Sequence, residues 1–254
     1  MLQPHSLLWH YLWLGPHILQ AALAVLLWRR GLHRQFPAFF AYTVFAAIEE
    51  CTLYGMDILP SVSVETFWSA YWVGTIVGTI LVIGVIGELF FHLLRSRPAI
   101  AKVGSRLISG AGAALILLAV VVAAYTPIIH RQLILVSRAG VFQQSSYLVE
   151  CGLVLFLFLF AAHFKLAWNH RAFGIALGFG VVWCEQMAIL ALIASGTLPD
   201  KRLDFLSMAT YHVSVLIWFY YLLVPQKVAT TSAVSLPENN LDIWNRELER
   251  LLQQ

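Results

Sequence analysis

Charged residues are scarce in this sequence. Asp, Glu, Lys and Arg make up 11% of the 254 residues, whereas hydrophobic residues make up 60%, and the mean hydropathy is +0.77. In an average soluble domain about a quarter of the residues are charged. A chain with so few charges could not shield so much apolar surface from water. The composition therefore excludes the soluble, disordered and collagen-like classes and indicates an integral membrane protein.

Cysteine is also scarce, and no catalytic or metal-binding motif is present. The three cysteines, Cys51, Cys151 and Cys184, lie in apolar stretches and are odd in number, so they indicate no disulfide framework. Cys/His zinc spacing and paired haem or di-iron ligands are lacking, and the last apolar stretch has no lysine for a retinal Schiff base. We expect no metal or other cofactor and no nucleic-acid partner. A membrane enzyme ranks below the other functions, because no nucleophile–base or metal spacing is visible.

Seven stretches are long and apolar enough to cross a bilayer as helices, each of which needs about 20 residues. Their continuous apolar runs favour helices over the alternating strands of a barrel. We predict an all-α fold in which residues 1–227 form a bundle of seven transmembrane helices. The first stretch is interpreted as a retained span rather than a cleaved signal peptide. The predicted spans are 7–28, 36–56, 67–94, 107–125, 141–164, 172–196 and 205–224.

Lysine and arginine are unevenly divided between the two ends of these spans. Ten of the 16 lie in the loops on one side, and four lie on the other side. Because cytoplasmic loops carry the excess of positive charge, the N-terminus is predicted outside and the C-terminus in the cytoplasm. The expected location is the bacterial inner membrane. Residues 126–140 fit either an interfacial helix or an extension of the fifth span.

The composition changes after the last predicted span. Residues 228–240 read as a polar linker, and residues 241–254 as a short amphipathic helix in the cytoplasm. Its apolar residues are spaced to share one face: Leu241, Trp244, Leu248 and Leu251. A helix this short is marginal alone in water. It is predicted to dock on the bundle, the lipid surface, or a cytoplasmic or membrane protein partner.

Ionisable and polar residues inside the predicted spans are the clue to function, because each costs several kcal/mol in lipid unless it is paired or wetted. None of the lysines and arginines lies at the same depth, so the acids lack a fixed cationic partner. They could be neutral, paired with histidine, or sharing an ion. The candidate ligand- or proton-binding residues are Glu49, Glu50, Glu150, Glu185, His10, His17, His212, Gln143 and Tyr147.

The simplest arrangement for these residues is a water-filled Glu/His pocket in the outer half of the bundle, open to a small ligand, a cation or protons. His10 and His17 are seven residues apart and should share a face of the first span. Glu49 and Glu50 should point about 100° apart, so we expect at most one to face the centre of the pocket. The alternative is that the polar groups only bond neighbouring helices together.

Two further patterns concern packing. Gly74–x–x–x–Gly78 and Gly174–x–x–x–Gly178 predict close helix approach. Spans 1–2 and 5–6 share an apolar span, a basic turn and an acidic residue beside a cysteine. This pattern fits two triple-helix repeats joined by the fourth span, as in some transporters.

The runs CGLVLFLFLFAAHFKLAWNHRAFGIALGFG (151–180) and LWLGPHILQAALAVLLWRRGLHRQFPAFFAYTVF (12–45) resemble a group of uncharacterised bacterial seven-helix membrane proteins. The resemblance covers most of the membrane region. It implies the seven-helix topology and transfers no site residue, because the group has no assigned activity.

The hypothesis that best joins these observations is a receptor- or sensor-like module, with an outward pocket and a cytoplasmic helix that passes on the response. A transporter of a small solute or cation, built as three plus one plus three helices, is the first alternative. A non-catalytic subunit of a larger membrane complex is the second.

Overall fold

The computed structural model describes residues 6–94, 106, 110, 113, 117, 134–166, 168–194, 201–224 and 249–250, and all regular structure in them is helical. The chain divides into two compact units, Met1–Leu223 and Val224–Gln254. Of the second unit, only residues 224, 249 and 250 are described, so the predicted linker and nearly all of the predicted C-terminal helix lie outside the described residues. The architecture below is that of the first unit.

Six α-helices and one 3-10 turn make up the described part of this unit. The helices are α1 (Leu7–Arg29), α2 (Pro37–Ile58), α3 (Val64–Leu94), α4 (Ile134–His163), α5 (His170–Ala194) and α6 (Lys201–Leu223), and the turn, Leu32–Arg34, joins α1 to α2. These helices fall on six of the seven predicted spans. The remaining span, 107–125, lies outside the described residues except for positions 110, 113 and 117, which are helical. Residues 134–140 extend the fifth predicted span as part of α4.

Within the part of the chain that the structure describes, five segments are long and apolar enough to cross a membrane: Leu7–Arg29, Val64–Leu94, Ser145–His163, His170–Ile189 and Leu203–Leu223. Helix α2 is not among them; Glu49, Glu50 and Asp57 lie in it. Large apolar side chains are exposed on the outer surface of the bundle, for example Ile80, Phe91 and Leu159. Such a surface suits lipid rather than water. The chain is therefore a multi-pass membrane protein in contact with the bilayer.

The first amides of α2 are capped by a residue of another helix. The N-cap residue, Phe36, offers no side-chain acceptor. Instead, the backbone N–H groups of Ala38 and Phe39 donate to Glu88 Oε1 and Oε2 of α3, both at 3.1 Å. A carboxylate at a helix N-terminus satisfies free amides and complements the helix dipole. Glu88 therefore fixes where α2 begins against α3.

A positively charged side chain, that of Arg30, caps the C-terminus of α6. Arg30, which follows α1, donates from Nη1 to the carbonyl oxygens of Leu222 and Leu223, at 3.5 and 3.2 Å. These carbonyls have no partner within their own helix, and a cation there complements the negative end of the dipole. Gly31 adopts a left-handed conformation with φ 68°, which glycine accepts without steric cost. The chain can therefore turn sharply into α2.

Helices α5 and α6 approach closely at two glycines, as the Gly174–x–x–x–Gly178 pattern predicted. A side chain at Gly174 would overlap Tyr221, and one at Gly178 would overlap the indole of Trp218. The Trp218 indole N–H donates to the Ile175 carbonyl at 3.2 Å. This part of the packing prediction is confirmed, because the absence of a Cβ makes room for the two aromatic rings of α6.

An apolar core fills one half of the bundle. It comprises the C-terminal halves of α1, α3, α4 and α6 and the N-terminal halves of α2 and α5. At its centre, the ring of Trp218 lies 5.3 Å from that of Phe39 and 4.9 Å from that of Phe179. Phe39, Leu157 and Ile175 are 0% exposed. We refer to this packed half as the apolar plug.

The fit of Trp218 against α5 gives a first prediction. Gly178→Ala should lower the free energy of unfolding by about 1–3 kcal/mol, because the new methyl group collides with the indole. Gly180→Ala is the matched control. Its Cβ would lie 3.9 Å from Phe158, and alanine otherwise favours a helix. Thermal unfolding in nanodiscs compares the two, and equal midpoints would contradict the described packing.

The Glu88 cap gives a second prediction. Glu88→Ala should destabilise the protein by about 1–2 kcal/mol, because two amides at the start of α2 lose their acceptor. Glu88→Gln should cost less, since one oxygen remains. The same melting experiment measures both, and Glu65→Ala at an exposed position of α3 is the control. An effect of Glu88→Ala no larger than that of the control would show that the cap does not hold α2.

Candidate functional site

A cavity of about 550 Å³ lies in the half of the bundle opposite the apolar plug, and all six described helices contribute to its wall. It is formed near the N-terminal ends of α1, α3, α4 and α6 and near the C-terminal ends of α2 and α5. Pockets of about 300–1,000 Å³ are typical of small-molecule sites. This cavity is the candidate functional site.

Acidic side chains line this cavity from three helices. Glu49 and Glu50 come from α2, Glu150 from α4 and Asp204 from α6, and His17 of α1 joins them. None of the described lining residues is a lysine or an arginine. Glu150 is only 3% exposed, whereas Asp204 is exposed. The wall therefore carries acidic groups from a deep position to an exposed one.

Both glutamates of α2 line the cavity, and that at most one of them faces its centre stays a prediction. Glu49 reaches the wall beside Gly74 of α3. A Cβ at that position would overlap the carboxyl group of Glu49. The missing side chain leaves a notch that accepts the Glu49 carboxylate, and Glu50 reaches the cavity from the neighbouring position. Gly74 thus does more than bring two helices together.

Indole groups accompany two of the acids. Trp13 Nε1 of α1 donates to Glu50 Oε2 at 2.9 Å. The indole of Trp183 on α5 hydrogen-bonds to Glu150 in the same way. An indole N–H is a donor only and carries no charge. These bonds hold the carboxyl groups in place without neutralising them.

A hydrogen-bonded group around Gln20 forms the α1–α6 side of the cavity. Tyr211 OH donates to Gln20 Oε1 at 2.8 Å, and His17 Nδ1 lies 3.2 Å from the same oxygen. The rings of His17 and Tyr211 stack at 5.0 Å. Tyr42 OH lies 3.5 Å from Tyr211 OH. Gln20 is 0% exposed and was missed in the sequence analysis, although its position three residues after His17 places it on the same helix face.

Three of the candidate residues named from the sequence lie on one face of α4, and this face lines the cavity. Gln143 Nε2 donates to Tyr147 OH at 2.8 Å, and Gln143 also hydrogen-bonds to Tyr71 of α3. Gln143, Tyr147 and Glu150 all line the wall. Their spacing of four and three residues places them on one face of a helix. That placement can be predicted from the sequence, because it depends only on the geometry of a single helix.

Glu185 lies beside the cavity rather than in its wall. Its Oε1 accepts a hydrogen bond from Ser207 Oγ of α6 at 2.7 Å, and Ser207 itself lines the cavity. The neighbouring Gln186 takes the lining position and donates to Ser207 at 3.4 Å. Consecutive helix residues point about 100° apart, so Glu185 and Gln186 lie on different sides of α5.

His10 and His212 line a separate groove of about 490 Å³ between α1, α2 and α6. The predicted single pocket that contains all the glutamates and histidines is therefore divided between two spaces. His10 Nδ1 lies 3.1 Å from Tyr54 OH, which joins this ring to α2. The ring of His212 lies 5.8 Å from that of Tyr11. Because His212 follows the cavity residue Tyr211 directly, it points to a different side of α6.

Aromatic rings form much of the remaining wall, and the sequence analysis did not foresee this. They come from all six described helices: Trp13, Tyr42, Tyr71, Tyr147, Phe179, Trp183 and Tyr211. Phe179 and Trp183 stack at 4.9 Å with their planes 14° apart. No single segment contains a pattern that would reveal this group, because its members meet only when the helices pack.

The described residues contain no group of three or more His, Cys, Asp or Glu side chains placed to hold a metal ion. The acids of the cavity are thus distributed around its wall rather than gathered at one point.

No protein-family model matches this sequence, and no curated protein and no solved structure is significantly similar to it. The function therefore has to be argued from the residues of the cavity.

The Gly74 notch gives a third prediction. Gly74→Ala should force the Glu49 carboxyl group out of its notch and increase its labelling by a water-soluble carbodiimide, measured by mass spectrometry. The melting temperature should change little, because only the end of a flexible side chain has to move. Gly78→Ala is the control, since its Cβ would lie 3.9 Å from Phe45. Equal labelling in both variants would contradict the notch.

Proposed function

We propose that this protein is a receptor- or sensor-like membrane module whose cavity receives a small ligand, a cation or protons from outside the cell. One observation carries the proposal. Glu49, Glu50, Glu150 and His17, from three helices, line one cavity whose described wall has no lysine or arginine. Acids without a fixed counter-charge favour the entry of a positively charged species.

The directions of the helices support the seven-span topology. Tyr71 hydrogen-bonds to Gln143 near the starts of α3 and α4, and the rings of Phe90 and Phe160 lie 5.4 Å apart near their ends. The two helices therefore run in the same direction. Consecutive spans of a membrane bundle alternate in direction, so two parallel helices that follow one another in the sequence fit one more span between them. This supports the seventh span that the sequence predicts over 107–125.

The first and last helices fit the same topology. His17 stacks on Tyr211 within the cavity half, and Arg30 binds the carbonyls that end α6. Helices α1, α3, α4 and α6 thus run one way, and α2 and α5 run the other way. That is the pattern of spans 1, 3, 5 and 7 against spans 2 and 6 in a seven-span protein.

The positive-inside rule supports an outward cavity. Arg30, Arg34, Lys165 and Arg171 all lie near the plug end of the bundle. If this basic end faces the cytoplasm of a bacterial inner membrane, the N-terminus and the cavity face outwards. The C-terminal segment is then cytoplasmic, and we propose that it contacts a protein partner through Leu241, Trp244, Leu248 and Leu251, a surface outside the described residues.

The apolar plug favours a receptor over a transporter. Between the cavity and the basic end lie fully buried apolar side chains, including Phe39, Leu157 and Trp218. A transported cation would need polar groups along this path. The alternative of a three-plus-one-plus-three transporter nevertheless has one specific observation in its favour, because α1–α3 and α4–α6 run in matching directions. A non-catalytic subunit of a larger complex is the second alternative.

A fourth prediction tests the receptor proposal. In proteoliposomes, spin labels at Arg34 and Phe164, both exposed near the basic end, should change their distance when the outer pH or the outer cation is varied. A ligand that favours one helix arrangement shifts the population towards it. Glu150→Gln should abolish the change, whereas Glu65→Gln at an exposed site should leave it intact. Pulsed electron paramagnetic resonance measures the distance.

Two results would overturn this proposal. Net flux of a cation or solute that depends on Glu150 would establish a transporter. An unchanged label distance under every condition would leave the cavity without a signalling role and favour the complex subunit.

A further inference from the structure

We propose that the species bound in the central cavity is an organic ammonium ion, held between aromatic rings and the carboxylates of Glu50 and Glu150. The proposal rests on the function proposed above and specifies the chemical class of the ligand.

The size of the cavity and the placement of its acids point away from a bare metal ion. A metal site draws several ligands to within about 2–2.6 Å of one point. The cavity has about 550 Å³ of space, and no three acid, histidine or cysteine side chains of the described residues converge. A cation that fills such a space while meeting separated carboxylates has to be molecular.

Several hydrogen-bond donors of the wall are already used within the protein, which favours a ligand that carries positive charge. The indole N–H groups of Trp13 and Trp183 are already used by Glu50 and Glu150. The Tyr211 hydroxyl hydrogen is used by Gln20, and the Gln143 amide bonds to Tyr147. The wall therefore offers carboxylate oxygens and ring faces to a ligand, beside hydroxyl groups such as those of Tyr147 and Thr79. A ligand that complements them donates hydrogen bonds or carries positive charge.

The aromatic walls favour an organic cation over a hydrated inorganic one. A quaternary or protonated amine is attracted to the face of tryptophan or tyrosine within about 6 Å, by about 0.5–2 kcal/mol for each contact. Tyr71, Tyr147 and Trp183 supply rings from three different helices. An ammonium ion with methyl or methylene groups can lie against these rings and keep its charge near a carboxylate. A small hydrated ion cannot make the same contacts.

The test uses the full-length protein in nanodiscs and isothermal titration with methylammonium, choline and benzyltrimethylammonium chlorides. The neutral comparison is 3,3-dimethyl-1-butanol, which has the shape of choline without its charge. At least one of the cations should bind, and choline should bind about tenfold or more tightly than the alcohol. Tyr71→Leu should weaken binding of the cation, whereas Tyr71→Phe, which keeps the ring, should retain it.

The acids are tested with matched substitutions. Glu50→Gln and Glu150→Gln should each weaken binding of the cation about tenfold, and Glu65→Gln, an exposed glutamate that does not line the cavity, should leave it unchanged. Thermal unfolding of each variant confirms that it is folded.

Three results would overturn the ligand class. They are equal binding of choline and the neutral alcohol, binding that is unaffected by Glu50, Glu150 and Tyr71 substitutions, and no binding of any of the three cations. If the label distance at the basic end still responds to pH or inorganic salt in those cases, the receptor proposal stands and only the ligand class fails. If a cation binds as expected but the label distance never changes, the ligand class stands and the receptor proposal fails.

Discussion

A carboxyl group among apolar helices needs hydrogen-bond donors from the protein itself, because lipid offers none. Four glutamates meet this need across neighbouring helices. Glu50 takes the indole of Trp13 and joins α2 to α1, while Glu88 takes two amides and joins α3 to α2. Glu150 bonds to Trp183 and joins α4 to α5, and Glu185 bonds to Ser207 and joins α5 to α6. One glutamate thus joins the helices of each of four consecutive pairs, α1–α2, α2–α3, α4–α5 and α5–α6. The resulting order of the helices is what places the remaining polar groups around one cavity.

The fold was readable from the sequence where it depends on local properties, and the site was readable only in part. Hydropathy located the six described helices, and helical spacing gave the face formed by Gln143, Tyr147 and Glu150. The separation of His10 from His17 could not be foreseen, because it depends on Tyr54 in another helix. The inclusion of Glu49 likewise depends on a missing side chain at Gly74. Contacts between distant segments leave no periodic signal in either segment.

The boundary between the cavity and the apolar plug is a layer of aromatic side chains that touch both. Tyr42 lies 5.0 Å from Phe179, and Tyr211 lies 6.3 Å from Trp218, measured between ring centroids. Trp218 in turn is held against Gly178 of α5 and bonded to the Ile175 carbonyl. Close-packed groups of this kind respond to a displaced neighbour by repacking rather than by gradual deformation. This layer gives a physical route by which occupancy of the cavity could change the contact of α5 with α6 without opening a path through the plug.

The absence of lysine and arginine from the described cavity wall also determines how the site should respond to the pH and the ions around it. Apart from His17, which lines the same cavity, only a species that enters can balance the charge of the acids, and this is either a proton or a larger cation. If the two compete for the same carboxylates, binding of the cation releases protons, and by thermodynamic linkage acidification weakens binding of the cation by the same coupling. The same residues would then bind either the cation or protons. Uncharged indole groups hold the side chains of Glu50 and Glu150 in position for both. An ion pair built into the wall would satisfy the same carboxylates permanently and remove this sensitivity.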